Sequence, residues 1–424
     1  MIENKNVVVM FPYPSGDGFH VGHAYNYLIV DSYCKWQRYN GIKVDQPFGY
    51  DAFGLPAEMY AIKNNCNPAD VTFDNINKFR VQLNNMDTDF DERVITATPE
   101  YYKWTQWLFT ELYKRGLAYK KKGIVNWDPI YKTVLANEQV IDGRGDRSGA
   151  IIEQIELEQW FFKITDYRER LIKNLEWIDY PEKTKKQQLH WLAKENFNDW
   201  CVSRQRKWGC KIPIEGEEDT LDTFVDSSFY YVRYCDPNNE NELCAKEKYK
   251  PVDLYIGGNE HACAHLIYAR FIHMFLYDIG VVTQEEPFNK VIHQGMIKLN
   301  GKKMSKSDGN NISVNDYDSD DIRFYLMFIG HYFDGGDWND NNIVGIKRFF
   351  NRFDIWTTNE NGAVKKDLNE LKNIINGFVE SFKFNKVVSS FMEFYNKNKG
   401  INFDKETRME LRKMLACFAP KRFN

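Results

Sequence analysis

The sequence predicts an α/β fold: one doubly wound parallel sheet, split by an insertion and followed by an all-α segment. Three observations carry that expectation. The chain opens on a strand, a glycine-rich turn and a helix. The same alternation returns after residue 251, and beyond residue 343 the pattern is helical with no strand signal. Strands alternating with helices call for a parallel sheet. A sheet that stops and resumes implies an inserted segment.

From the N-terminus, Asn6 to Met10 is an apolar run, closed by the turn residues FPYPSGDG. HVGHAYNYLIVDSYCKWQRYNG reads as an amphipathic helix ending at Gly41, and KVDQP as a second short strand. GYDAFGLPAE is a loop with Pro56 opening another helix, a position that suits proline because its missing N–H has no helical partner to lose. Residues 99–119 form an aromatic helix, 120–160 short β runs with Gly and Asp turns, and 161–200 a mixed, mostly helical stretch. PVDLYIGG is then a strand and turn, EHACAHLIYARFIHMFLYDIG a helix and NKVIHQGMI a strand. The Asn- and Asp-rich stretch from Gly335 to Asn342 reads as a loop.

At 424 residues the chain has room for about three domains of roughly 150 residues each. Hydrophobic residues reach 43% and aromatics 16%, which supplies a large core and excludes a disordered or collagen-like chain. No stretch of about 18 residues is free of polar groups, so no membrane span is expected. The start MIENKNVVVM lacks a basic region followed by a long apolar one, so the expected location is the cytoplasm. The net charge of −4 hides an asymmetry: residues 343–424 carry +7 and the remainder −11. Such a basic segment either touches nucleic acid or is a solvated face. The eight cysteines form no CxxC pair, so free thiols are expected. His261, Cys263 and His265 in HACAH admit a metal cluster or a ligand-facing histidine pair. In the helix expected there only the two histidines, four apart, share a face, which favours the pair.

Two motifs suggest chemistry. His20-Val21-Gly22-His23 opens a helix after a glycine-rich turn. A helix N-terminus presents unpaired N–H groups and partial positive charge, so it attracts phosphate. Gly22 lets a flat ring approach the backbone, and His20 and His23 can both donate to phosphate oxygens. Lys302-Lys303-Met304-Ser305-Lys306-Ser307-Asp308-Gly309 follows the last parallel strand. Ligands of open α/β sheets bind outside the carboxyl ends of the strands, so this loop and the HVGH turn can face one another across a triphosphate. Taken singly, a histidine pair is often a helix cap and a lysine-rich loop is often just solvated.

In this order the two motifs resemble the HIGH and KMSKS signatures of class I aminoacyl-tRNA synthetases. FPYPSGDGFHVGH, GYDAFGLPAE, TVLANEQVIDG, DWCVSRQRKWG, DTFVDSSFYY, PVDLYIGGNEHACAHL and KKMSKSDGN narrow the resemblance to the leucyl-tRNA synthetases, from about Val7 to Arg352 and more weakly beyond. The resemblance implies a Rossmann-type (HUP) catalytic domain and a ligase that activates leucine with ATP and Mg2+ as an aminoacyl adenylate. It places His20 and His23 on the phosphates and Lys303 and Lys306 on the leaving pyrophosphate. Gly22, Asn26, Gln294 and Met296 belong to the nucleotide side, with Gly258 and Glu260 on the ribose. Asp51 pairs with the substrate ammonium, since a buried carboxylate is costly without a cation. Met10, Phe11, Tyr13, Phe224, Tyr230, Tyr255, His261 and His265 shape the side-chain pocket.

The implied organisation is a first half of the catalytic domain (1–119), a zinc-module remnant (120–155), a connective insertion (156–250), the second catalytic half (251–300), the KMSKS loop with a stem-contact region (301–342) and a partial helical, anticodon-binding-like domain (343–424). Three departures from the family stand out. Asp128 replaces the first zinc cysteine and the Arg144–Ser148 end contains none, so no zinc is expected. LHWLAKENFNDW passes straight through where the family inserts a large editing domain between the equivalents of Trp191 and Trp200. Up to LACFAPKRFN, only the first helices of the anticodon-side region are matched. The resulting expectation is leucyl-adenylate formation with transfer to an unidentified acceptor outside bulk translation: a small amine, a peptide or a carrier thiol. The alternatives are a minimal tRNA-charging enzyme and a non-catalytic leucine- and ATP-binding regulator.

Overall fold

The computed structural model describes residues 4–14, 18–135, 139–145, 148–304 and 312–423. Strand β1 (Asn4–Val9) carries Val7, Val8 and Val9, all buried. A continuous apolar run is what a strand covered on both faces requires. Helix α1 (Val21–Tyr39) crosses over and β2 (Lys43–Asp45) returns parallel to β1, with Asn4 opposite Lys43. The run KVDQP does not form one strand. It divides at Gln46, and β3 (Pro47–Tyr50) pairs in parallel with β4 (Asp91–Ile95) after helices α2 (Leu55–Asn64) and α3 (Pro68–Asn85). Pro47 has no N–H to continue a ladder and sits at the first position of the new strand, a place proline tolerates.

Helix α4 (Pro99–Lys114) ends earlier than its apolar pattern suggests. Gly116 turns the chain at φ +71° and Ala118 already belongs to β5 (Ala118–Asp128). The 120–160 region is one long antiparallel ribbon, with β5 paired to β6 (Glu153–Phe162) from Ala118↔Phe162 to Trp127↔Glu153. Helix α5 (Glu182–Leu192) leads by residues 193–199 into a short strand, Trp200–Cys201, that extends the ribbon.

The main sheet resumes with β7 (Leu254–Gly258), α6 (His265–Asp278) and β8 (Val291–Gln294). Its order is β8-β7-β1-β2, all parallel. The direction of progression reverses between β7 and β1, which is where such sheets open a binding crevice. The helix expected over EHACAHLIYARFIHMFLYDIG is interrupted. Asn259–His261 is a separate 3-10 turn, and the α-helix begins only at His265. The run NKVIHQGMI also divides: after Gly295, β9 (Met296–Leu299) leaves the main sheet and pairs with Lys302–Lys303 and with Gly335–Asp337. A Cβ on Gly295 would stand 2.1 Å from the Gly335 nitrogen, so glycine is needed at the crossing. The stretch expected to be a loop therefore contributes a strand.

Helix α7 (Ser319–Phe328) comes next, then α8 (Asp340–Thr358), α9 (Asn369–Glu380), α10 (Phe384–Asn398) and α11 (Lys405–Ala416), as the helical pattern predicts. Two buried ion pairs join the parts. Arg323 of α7 reaches Asp31 of α1 at 2.6 Å, both fully buried. Arg270 of α6 meets Glu286 at 2.7 Å and donates to Gln188 of α5 at 2.9 Å. Among the described residues no helix is long and apolar enough to cross a membrane.

Candidate active site

The crevice at the sheet reversal is a cavity of about 370 Å³. The segment leaving β1 supplies Met10, Phe11 and Tyr13; the start of α1 supplies His20, Gly22, His23 and Asn26. Asp51 stands just past β3, and Phe224 and Tyr230 come from the insertion. Tyr255 and Gly258 belong to β7, Glu260 and His261 to the 3-10 turn after it, and His265 to the start of α6. Gln294 and Met296 close the far side. Lys303 ends the Lys302–Lys303 strand, next to Met304, which lines the cavity. Lys306 lies outside the described residues.

At the helix end the two imidazoles do local work first. His20 is the N-cap of α1: its Nδ1 accepts from the Gly22 N–H at 3.0 Å, and the His23 Nδ1 accepts from the His20 N–H at 3.3 Å. The rings stack with centroids 3.8 Å apart. A neutral imidazole whose Nδ1 accepts carries its proton on Nε2, so both histidines are set as Nε2 donors. A Cβ on Gly22 would stand 2.8 Å from the His20 ring. The flat ring that Gly22 admits is therefore the capping imidazole itself.

Asp51 is buried at 2% exposure. Its carboxyl accepts from the Thr96 hydroxyl at 3.4 Å and from Tyr13. Burial, reinforced by the nearby Asp226 carboxylate, pushes its pKa well above the usual carboxylate range despite those hydrogen bonds. Asp226 is fully buried as well. Its Oδ1 accepts from Thr105 at 2.7 Å, its Oδ2 has no partner among the described residues, and burial raises its pKa to about 8.

The floor of the cavity is a relay of neutral groups. Phe11 stacks on Tyr230 at 3.8 Å, the Tyr230 hydroxyl meets that of Tyr255 at 2.7 Å, and Tyr255 meets the His265 Nε2 at 2.6 Å. Burial, helped by His261, lowers the His265 pKa to about 3. The expectation that His261 and His265 share one helical face is corrected by the break at residues 262–264. Their rings stand 6.1 Å apart and nearly perpendicular, one on the 3-10 turn and one at the start of α6.

On the opposite side, a Cβ on Gly258 would fall 2.2 Å from the Glu260 carboxylate, so glycine allows Glu260 to fold back over the strand end. A Cβ on Gly257 would fall 2.0 Å from the Met10 sulfur. The Gln294 Oε1 is buried without a hydrogen-bond partner among the described residues, and Gln294 lines the cavity, an acceptor open for a ligand donor. Gly257, Thr96 and Asp226 escape a reading of the sequence alone. Nothing in their spacing marks them: Gly257 lines the cavity from β7, while Thr96 and Asp226 act on Asp51 from other elements. Among the described lining residues only Asp51 and Glu260 are carboxylates, and no described group of three or more His, Cys, Asp or Glu is arranged to hold a metal.

In the 120–155 region Asp128 is fully buried and its Oδ1 accepts from the N–H groups of Ile130 and Tyr131 at 2.9 and 3.0 Å. The carboxylate therefore caps a turn where the resemblance placed a cysteine. Asp146 and Arg147 lie outside the described residues.

Comparison with known proteins bears on the same geometry. Residues 3–216 match the family model described as tRNA synthetases class I (I, L, M and V), and residues 135–347 the one described as tRNA synthetases class I (M). A leucine–tRNA ligase of Clostridium botulinum is 31% identical over 694 positions, spanning 98% of this chain and 85% of the relative. One from Caldanaerobacter subterraneus is 31% identical, spanning 97% and 84%. The first alignment is longer than the 424 residues of this chain, so at least 270 of its positions (694 less 424) have no counterpart in it. The crystal structure of an Agrobacterium radiobacter LeuRS–tRNA–LeuAMS ternary complex superposes with a TM-score of 0.90 at 25% identity, covering 99% of this chain and 84% of that one. Methionyl-tRNA synthetase of Mycobacterium tuberculosis bound by methionyl-adenylate reaches 0.78 at 17% identity, covering 99% and 92%, a likeness of fold alone.

Proposed function

The chain belongs to the class I aminoacyl-tRNA synthetases, among their leucyl-tRNA synthetase-like members, and on that premise we propose that it activates L-leucine with ATP. The leucine carboxylate attacks the α-phosphorus, the bond to the bridging oxygen breaks, and pyrophosphate leaves. The acceptor's nucleophile then attacks the acyl carbon, AMP departs, and the nucleophile's proton is released.

The observation that carries this reading is the pairing, in one cavity, of a buried carboxyl that meets no cation among the described residues with an Nε2-donor histidine pair. Asp51 receives the leucine ammonium. The wall of Met10, Phe11, Tyr13, Phe224, Tyr230, Tyr255, His261 and His265 receives its side chain. His20 and His23 donate to the phosphates, and Lys303 and Lys306 offset the charge that develops on pyrophosphate. Gly258 and Glu260 hold the ribose, Glu260 accepting from its hydroxyls. Gly22, Asn26, Gln294 and Met296 flank the adenine side. Magnesium travels with the triphosphate and neutralises part of its charge.

The short passage from α5 to Trp200 supports an acceptor outside bulk translation, because it leaves no room for a hydrolytic domain between them. The likeness to the tRNA-bound LeuRS complex favours the second reading, charging of an RNA acceptor end. The test is leucine-dependent exchange of pyrophosphate into ATP. We expect exchange with leucine and a fall of ~10²-fold or more in Lys306→Ala, the size typical of a lost transition-state charge contact. Absence of exchange with every aliphatic amino acid would leave only the regulatory alternative.

A further inference from the structure

We propose that Gln82 is a positioning residue for the histidine pair: one buried carboxamide fixes the backbone that leads into His20 and ties it to the segment that follows the lysine motif. The inference rests on the reading that the cavity activates leucine with ATP.

Both amide hydrogens and the carbonyl oxygen of Gln82 are in use. The residue is buried on α3. Its Oε1 accepts from the Phe19 N–H at 2.6 Å, and its Nε2 donates to the Phe19 carbonyl at 3.5 Å and to the Asn315 Oδ1 at 3.3 Å. The side-chain amide thus pairs with residue 19 much as a neighbouring strand would. Gly18 permits the approach: it turns at φ +100°, and a Cβ there would fall 2.3 Å from the Gln82 Oε1. The same helix grips the Phe19 ring, which packs on Phe79 at 4.2 Å and meets the His23 ring edge-on at 5.7 Å. Residue 19 is therefore held by α3 through both backbone and side chain, one position ahead of the N-cap His20.

The far end of this bridge lies just past the lysine motif in sequence. Asn315 is exposed in the 3-10 turn Val314–Asp316, and the residues leading into that turn dock on the start of α1. The Ile312 carbonyl accepts from the Val21 N–H at 3.0 Å, and Ser313 pairs with His20 as an antiparallel bridge. The Gly22 N–H is held by His20. Two of the N–H groups that open the helix are therefore engaged within the chain. On the proposed reading the phosphates are met by the imidazoles, whose aim follows the backbone of residues 18–20. A shift of about 1 Å in such a contact costs on the order of 10²-fold in rate. An amide that served packing alone would end at Phe19; this one continues to an exposed side chain 233 residues further along the chain.

The test uses the full chain and two measurements: leucine-dependent pyrophosphate exchange, resolved into kcat and KM, and nitrogen NMR of isotope-labelled histidines, which reports the tautomers of His20 and His23. Gln82→Leu and Asn315→Ala should each lower kcat by ~10-fold or more while the leucine KM stays within ~3-fold, because the lost placement acts at the phosphates. In both variants the Nε2–H signature of His20 and His23 should give way to a mixture of tautomers. Asn315→Asp keeps an acceptor for the Gln82 amide and should restore kcat to within ~3-fold of the parent chain. Gln82→Glu keeps the acceptor for the Phe19 N–H, but its carboxyl can donate toward Asn315 only when protonated. Burial favours that form, so the rate of this variant relative to the parent should rise as pH falls. If Gln82→Leu fails to fold, the exposed Asn315 pair decides. Equal losses in Asn315→Ala and Asn315→Asp, a rise in the leucine KM in place of the kcat loss, or unchanged tautomers overturn the assignment. A parent chain without exchange removes the adenylate reading, and the tautomer spectra then decide the positioning role by themselves.

Discussion

Asp51 concentrates the chemistry of one residue. Its carboxyl is buried and flanked by Asp226, so its charged form is disfavoured until an ammonium arrives. On the proposed assignment leucine binding needs the carboxylate, so the KM for leucine should rise as pH falls through the raised Asp51 pKa, while the KM for ATP moves little. Exchange kinetics measured against each substrate over a pH series check this. Asp51→Asn should raise the leucine KM by ~10²-fold and remove the pH dependence. Asp226 has a different consequence. Its folded-state pKa of about 8 lies above the ordinary carboxylate value of 3.8, so the folded state binds the proton more tightly. Stability from this group is present below about pH 4 and is lost as pH rises toward 8, at up to about 1.4 kcal/mol per pH unit. Asp226→Asn should flatten that slope in urea titrations at a series of pH values.

At the scale of elements, the buried pair between α1 and α7 is the critical joint. Arg323 also donates to the Met86 carbonyl at 2.6 Å, so one guanidinium ties α1, the end of α3 and α7 together. Burial alone would raise the Asp31 pKa, but Arg323 and Lys35 outweigh it and hold it below the usual value. This contribution is present above the unfolded carboxylate pKa and is lost as pH falls through the lowered one. Arg323→Met should cost about 3–5 kcal/mol in denaturant unfolding, because it strands a buried carboxylate. Asp31→Asn with Arg323→Met should cost less than the single change. The same scale explains the divided strands. Apolar pattern extends through Gln46 and Gly295, but hydrogen-bond ladders cannot follow it past Pro47 or across the Asp334–Gly335 backbone.

For the whole molecule, the spacing between the insertion and the catalytic sheet limits selectivity. On the proposed function, with α5 joined to Trp200 by seven residues, the walls of the cavity are what discriminates leucine. One methylene in an apolar pocket is worth ~1–3 kcal/mol. Norvaline and isoleucine should therefore support exchange at kcat/KM values within roughly 10- to 200-fold of leucine, and no added hydrolysis of the transferred product should accompany them. Steady-state exchange and product-decay measurements with each amino acid check both points.

The alternation of strands and helices, the helix-opening HVGH and the helical region after residue 343 were legible in the sequence, and the group of residues now found around one cavity followed from its family resemblance. Apolar period, turn chemistry and motif order are local properties, and they survive folding unchanged. The tertiary structure alone decided that Gly22 serves the His20 cap, that His261 and His265 sit on separate elements, and that Asp226 stands beside Asp51. It also brought the Gln82 amide between Phe19 and Asn315. These are relations between segments far apart in the chain, set by which backbones approach closely and which side chains lose water together, and no local pattern encodes them.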